Sequence, residues 1–109
     1  LGRGDDLIIT QFAEKIFPIE IENALVSHPR IYDSYVHGVA DDKYGQAIRT
    51  YIIREEGTDP ITAEEVRNHV VNELSEGHRP RDVFFVDEFP RNPMGKVIRK
   101  KLPGHSTVE

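Results

Sequence analysis

Residues 47–53, Ala-Ile-Arg-Thr-Tyr-Ile-Ile, carry the strongest strand signal in the chain and constrain its fold more than any other stretch. β-Branched and aromatic side chains fit a pleated, half-buried surface and crowd a helix. A strand over Gln46–Arg54 is therefore expected, ended by Glu55-Glu56-Gly57-Thr58-Asp59-Pro60, where glycine and proline break the pattern. One strand alone buries nothing, so neighbours and a covering layer must come from the flanks.

Both flanks offer them. Ile31–Ala40 is strand-like, with Tyr35, His37 and Val39 on one face. Asp82-Val83-Phe84-Phe85-Val86 is a last core strand. Thr62-Ala63-Glu64-Glu65 is a capping box, in which a hydroxyl serves an orphan amide and a glutamate three residues on returns the bond. The helix that follows is expected to turn Val66, Val70 or Val71, and Leu74 inward and to stop near Gly77. Pro18 suits the first turn of another helix, with Ile21, Ala24 and Leu25 as one buried stripe and an end near Ser27-His28, before Pro29. Leu7-Ile8-Ile9-Thr10 and Lys15-Ile16-Phe17 read as a small hairpin, and residues 97–102 as a short terminal helix with Arg99, Lys100 and Lys101 on its exposed face. The expected fold is α+β: a small N-terminal β-hairpin plus a mixed three-stranded sheet packed with two to three helices. It fills residues 1–102, leaving 103–109 as a frayed or added tail.

The chain has 109 residues, enough for one modest core. Its longest apolar runs are three or four residues, so no membrane span is expected. Without cysteine there is neither a disulfide framework nor a thiolate metal site. No basic segment followed by an apolar core stands at the start, and a cytoplasmic location is the expectation. The five histidines, 28, 37, 69, 78 and 105, show no metal-ligand spacing, so no metal site is expected. Ser34 and Ser75 lack a Gly-x-Ser-x-Gly setting, and no Gly-x-x-x-x-Gly-Lys phosphate loop is present. A net charge of −5 argues against a nucleic-acid partner.

That charge is uneven. Arg91, Lys96, Arg99, Lys100 and Lys101 fall within residues 91–101, where there is no carboxylate. An acidic body with a basic end suits a small anionic ligand better than a long polyanion. Pro90 and Pro93 stiffen this stretch, and Gly95 opens backbone angles closed to other residues and leaves room beside the main chain. Lys96 follows as a compact charge on a long stem, able to reach a phosphate or carboxylate. At the other end, Arg3 could bind a ribose diol or phosphate, and Asp5-Asp6 beside two glycines could act as a pivot. Residues 1–6 read as a turn or hinge within a longer chain.

Taken in order, the motifs resemble the C-terminal domain of the adenylate-forming superfamily: acyl-CoA synthetases, peptide-synthetase adenylation domains and luciferases. Gly2-Arg3-Gly4-Asp5-Asp6-Leu7-Ile8 is similar to its hinge segment, and Ile16-Phe17-Pro18-Ile19-Glu20-Ile21-Glu22 to the start of its first helix. His28-Pro29 and Gly38-Val39-Ala40-Asp41-Asp42-Lys43-Tyr44-Gly45 fit two further stretches. Residues 83–96 fit Val-x-Phe-Val-Asp-x-(Leu/Phe)-Pro-Arg-Asn-x-x-Gly-Lys.

The resemblance implies a mobile lid, inactive without a large N-terminal domain that holds most of the ATP, Mg2+ and carboxylate site. It implies two half-reactions, carboxylate plus ATP to acyl-adenylate, then transfer to a thiol, commonly that of CoA. By the same resemblance Lys96 is the adenylation lysine, Arg3 binds the ribose hydroxyls, Asp5 is the hinge (within residues 2–6), and Gly95 gives Lys96 access. Gln11, Phe12, Ala13 and Glu14 occupy the loop that meets the acceptor thiol. Here they depart from the family's glycine-rich Ser-Gly-Gly-Glu-Asn, which leaves CoA and a carrier-protein thiol both open. Another class of reading is a non-catalytic interaction module whose basic end, residues 96–101, docks on an acidic partner or carrier protein.

Overall fold

β4, Gln46–Arg54, is the middle strand of a three-stranded sheet. The structure, a computed structural model, describes residues 7–10, 15–40 and 45–102. β3, Ile31–Ala40, lies antiparallel to β4, from Ile31↔Arg54 to Ala40↔Gln46, with one irregularity between Ile31 and Asp33. β5, Asp82–Phe85, lies parallel on the other side, from Arg49↔Asp82 to Ile52↔Phe85. A parallel neighbour needs a crossover, which α2, Ala63–Glu73, supplies. β1, Ile8–Ile9, and β2, Lys15–Ile16, form a separate antiparallel hairpin that leads into α1, Pro18–Val26. The α+β expectation holds.

Alternation along the strands divides the core in two. On one face Val36, Ile48 and Ile52 meet Ile21 and Leu25 of α1, Val66 and Val70 of α2, and Ile8 and Ile16 of the hairpin. On the other, Tyr35 and Tyr51 meet Phe89 and Leu102 from the C-terminal segment, with Phe84, Val86 and Val97 packed around them. A sheet this small is thus covered by helices on one side and by the chain's own end on the other.

The edge of β3 is closed by a carboxylate. Glu22 of α1 is buried, and it accepts a hydrogen bond from the Val36 N–H at 2.8 Å. The Ser34 hydroxyl donates to the Glu22 carbonyl at 3.3 Å, so helix and strand are joined twice. An edge amide covered in this way is unavailable to a second chain. The capping box of α2 forms as expected, and Glu65 also pairs with Arg30 at 3.0 Å. Arg30 donates to the carbonyls of Asp59 and Pro60 as well, tying the exit of α1 to the start of α2. The Thr62 backbone amide, then Arg30, hold the Glu65 carboxyl below the usual carboxylate range.

Four expectations need correction. Residues 97–102 are not a helix: Val97 pairs with Arg91 in an isolated bridge, and Arg99–Lys101 make one 3-10 turn. Hairpin geometry leaves too few residues for a helix, and Pro103 favours the extended backbone that Leu102 adopts. α2 ends at Glu73, short of Gly77, with Leu74 37% exposed rather than inward. A separate 3-10 turn, Glu76–His78, follows, held by a 2.8 Å hydrogen bond between Ser75 Oγ and His78 Nδ1. Ala24 is only half-buried, the α1 stripe being completed by Glu22. Arg99 is not a solvated charge: its Nε donates to the Tyr35 hydroxyl at 2.7 Å. The expected tail, 103–109, lies outside the described residues.

These contacts make stability testable at two places. Glu22→Ala removes the carboxylate that accepts from the Val36 amide and is expected to cost about 1–3 kcal/mol in urea unfolding, with Glu22→Gln, which keeps an acceptor, costing less. Equal losses would mean that the carboxylate packs rather than bonds. His28 Nδ1 accepts from the Arg30 N–H at 3.0 Å, and the His69 ring stands edge-on at 4.8 Å. Burial, then His69 and Arg30, hold His28 below its ordinary value of 6.5. The folded state keeps it neutral while the unfolded chain takes a proton, so this stability is complete above about pH 6.5 and declines as pH falls below it. His28→Asn, which keeps an acceptor but cannot titrate, is expected to flatten that decline; an unchanged slope would assign it to another group.

Candidate functional site

Phe89 ends the descent from β5, and after it the chain folds back on itself. The Asn92 N–H donates to the Lys96 carbonyl at 2.9 Å, the Gly95 N–H to the Asn92 carbonyl at 2.8 Å, and the Ile98 N–H to the Pro90 carbonyl at 2.8 Å. The Asn92 side chain closes the tip: Oδ1 accepts from the Met94 N–H at 2.9 Å and the Lys96 N–H at 3.0 Å. Gly95 has φ +88°, a left-handed conformation that side chains resist. A Cβ there would meet nothing within 4 Å, so within this domain glycine is required by backbone angle and not by crowding. Arg91 braces the loop from outside, donating to the Gly95 carbonyl at 2.9 Å.

The loop sits on the second core. Phe89 and Leu102 are buried at its two ends, and the Phe89 and Tyr35 ring centroids are 6.2 Å apart. Tyr51 lies beneath, stacked between His37 at 5.8 Å and Phe84 at 5.4 Å. Burial pushes the Tyr51 phenol above its ordinary value, keeping it a neutral part of the platform. Arg49 lies over Phe84 and bonds Asp82 at 3.0 Å. Burial works to raise the Asp82 carboxyl, but hydrogen bonds from Arg81 and Arg49 outweigh it and hold the group below its usual range.

Lys96 is exposed on this braced loop, and among the described residues no carboxylate lies within ion-pair distance of it. A cation held by its backbone and open at its head is suited to meeting an oxyanion brought from outside the domain. No three His, Asp or Glu side chains among the described residues converge to hold a metal ion. Of the residues singled out from sequence, Lys96 and Gly95 are brought together here. Arg3, Asp5, Gln11, Phe12, Ala13 and Glu14 lie outside the described residues. Sequence reading passed over the structural work of Asn92 and Arg99. For Asn92 a signal existed, since asparagine before proline starts turns by bonding backbone amides. Arg99 had none, because its partner is 64 residues away.

Known proteins share this architecture. Residues 20–96 match the AMP-binding enzyme C-terminal domain. A medium/long-chain-fatty-acid–CoA/3-oxocholest-4-en-26-oate–CoA ligase of Mycolicibacterium smegmatis is 42% identical over 96 residues, 88% of this chain and 17% of that protein. Apo MatB from Rhodopseudomonas palustris superposes with a TM-score of 0.80 at 33% identity, over 96% of this chain and 20% of that one. The amide bond synthetase McbA from Marinactinospora thermotolerans does so with a TM-score of 0.79 at 33% identity, over 88% and 19%. The chain thus spans about a fifth of the length of the curated relatives it matches. The family model covers most of the chain and the fold superposes on that of these relatives, so the chain belongs to the family of AMP-binding enzyme C-terminal domains.

Proposed function

We propose that this domain is the mobile lid of an ATP-dependent acid–thiol ligase and supplies Lys96 to the adenylation half-reaction. The observation that carries the reading is the exposed Lys96 on a loop braced at every turn, in a chain that belongs to this family. In the first half-reaction a substrate carboxylate oxygen attacks the α-phosphorus of ATP, and pyrophosphate departs with the electrons of the broken P–O bond. Negative charge gathers on the carboxylate and phosphate oxygens, where the Lys96 ammonium stabilises it. A fixed donor in a closed site of this kind is worth about 3–4 kcal/mol, or roughly 100- to 1,000-fold in rate. In the second half-reaction a thiol attacks the acyl carbon and AMP leaves.

Arg3 would hold the ribose hydroxyls and Asp5 would be the pivot about which the lid turns between the halves. ATP would be bound mainly by a larger N-terminal domain. Mg2+, which neutralises phosphate charge, would enter there with the nucleotide. CoA is the acceptor that the names of the curated relatives favour. Gln11, Phe12, Ala13 and Glu14 would meet its arm. By itself the domain would be inactive, and we place its parent in the cytoplasm. No described helix is long and apolar enough to cross a membrane.

The test is kinetic, in the full-length parent. Lys96→Ala is expected to lower pyrophosphate release by about 100-fold or more while leaving thioester formation from supplied acyl-adenylate within a few-fold of the parent. Equal effects on both halves, or none on the first, would contradict the assignment.

A further inference from the structure

We propose that Asn92 is the positioning residue for Lys96, an inference that rests on the lysine's proposed role. Four hydrogen bonds converge on Asn92 from the loop tip. Its Oδ1 takes the amides of Met94 and Lys96, its N–H donates to the Lys96 carbonyl, and its carbonyl accepts from Gly95. Lys96 is therefore held at both its N–H and its C=O by one residue, which fixes where its side chain leaves the backbone.

The need for such a hold is physical. Lysine has four rotatable carbons and no rigid fork, so its ammonium is placed only as well as its Cα. The residue before it is a glycine at φ +88°, free to take other conformations if nothing opposes them. Pro93 stiffens one side of the tip, and the Arg91 guanidinium, which also lies 4.0 Å from the Asp33 carboxylate, meets the tip at the Gly95 carbonyl. Among the described residues, the Lys96 amide is met by Asn92 Oδ1. A displacement of about 1 Å at a reacting centre can cost roughly 100-fold. Asn92 touches no reacting atom; it acts through Lys96.

Two substitutions separate this role from simple loop stability. Asn92→Leu removes the acceptor at similar size, whereas Asn92→Thr keeps a neutral oxygen that makes the same kind of turn more weakly. In the full-length parent, Asn92→Leu is expected to lower kcat for pyrophosphate release by about 30- to 100-fold with little change in KM for ATP. It should spare thioester formation from supplied acyl-adenylate. Asn92→Thr should recover most of the loss. Lys96→Ala runs alongside in the same assays. If it is defective while Asn92→Leu stays within about threefold of the parent, the positioning role falls and the lysine assignment stands. If Lys96→Ala leaves adenylation intact, both fall. Leu and Thr variants equally impaired, or an Asn92→Leu defect shared by both half-reactions, would likewise overturn the role.

Discussion

The contact of Phe89 and Leu102 with Tyr35 and Tyr51 is the interaction on which the rest of this structure depends. A three-stranded sheet with helices on one face would otherwise leave an aromatic face in water. The chain's own C-terminal segment covers it and is anchored at both Phe89 and Leu102, which converts a charged tail into a loop of defined shape. Burial of large aromatic rings is the strongest apolar contribution a small domain has available. Here it stabilises the sheet and fixes the base of the Lys96 loop with the same atoms.

The charges around the loop follow from that arrangement. Arg91 and Arg99 flank Lys96 in sequence, yet both are engaged within the domain, Arg91 with the Gly95 carbonyl and Arg99 with the Tyr35 hydroxyl. Arginine suits such fixed bonds because its planar fork loses little freedom in making them. Lys96 keeps a flexible stem and an open head. The basic end is thus less of a docking patch than a count of its charges implies, which weakens the view of this domain as a module for acidic partners. A rigid platform with a reaching cation also fits the lid motion proposed above, since any softness at the loop would be added to the imprecision of such a turn.

How much of this was legible beforehand varied with the range of the interactions. β3 and β4 were readable to the residue, since alternation and flanking turn residues are local. The capping box was readable for the same reason. Leu74 and residues 97–102 were misread as helical continuations, because helical spacing says nothing about the turn after Glu73 or the pairing of Val97 with Arg91. Glu22 lies outside the apolar stripe that helical spacing gives α1, because the Val36 amide that claims it is distant in sequence. An exposed Lys96 after a glycine whose backbone angle other residues resist was legible locally, from Pro90, Pro93 and Gly95. Asn92 carried a local turn signal before Pro93, but its hold on Lys96 through both N–H and C=O needed the folded loop to be seen.

The central claim is that Lys96 meets the reacting oxygens when the lid is closed for adenylation. The most direct measurement is a crystal structure of the full-length parent with ATP and a carboxylate analogue that cannot react. Lys96 Nζ is expected within roughly 3 Å of a carboxylate or α-phosphate oxygen, with the Asn92 bonds to the loop intact. A closed complex in which Lys96 faces solvent while another cation holds those oxygens would contradict it.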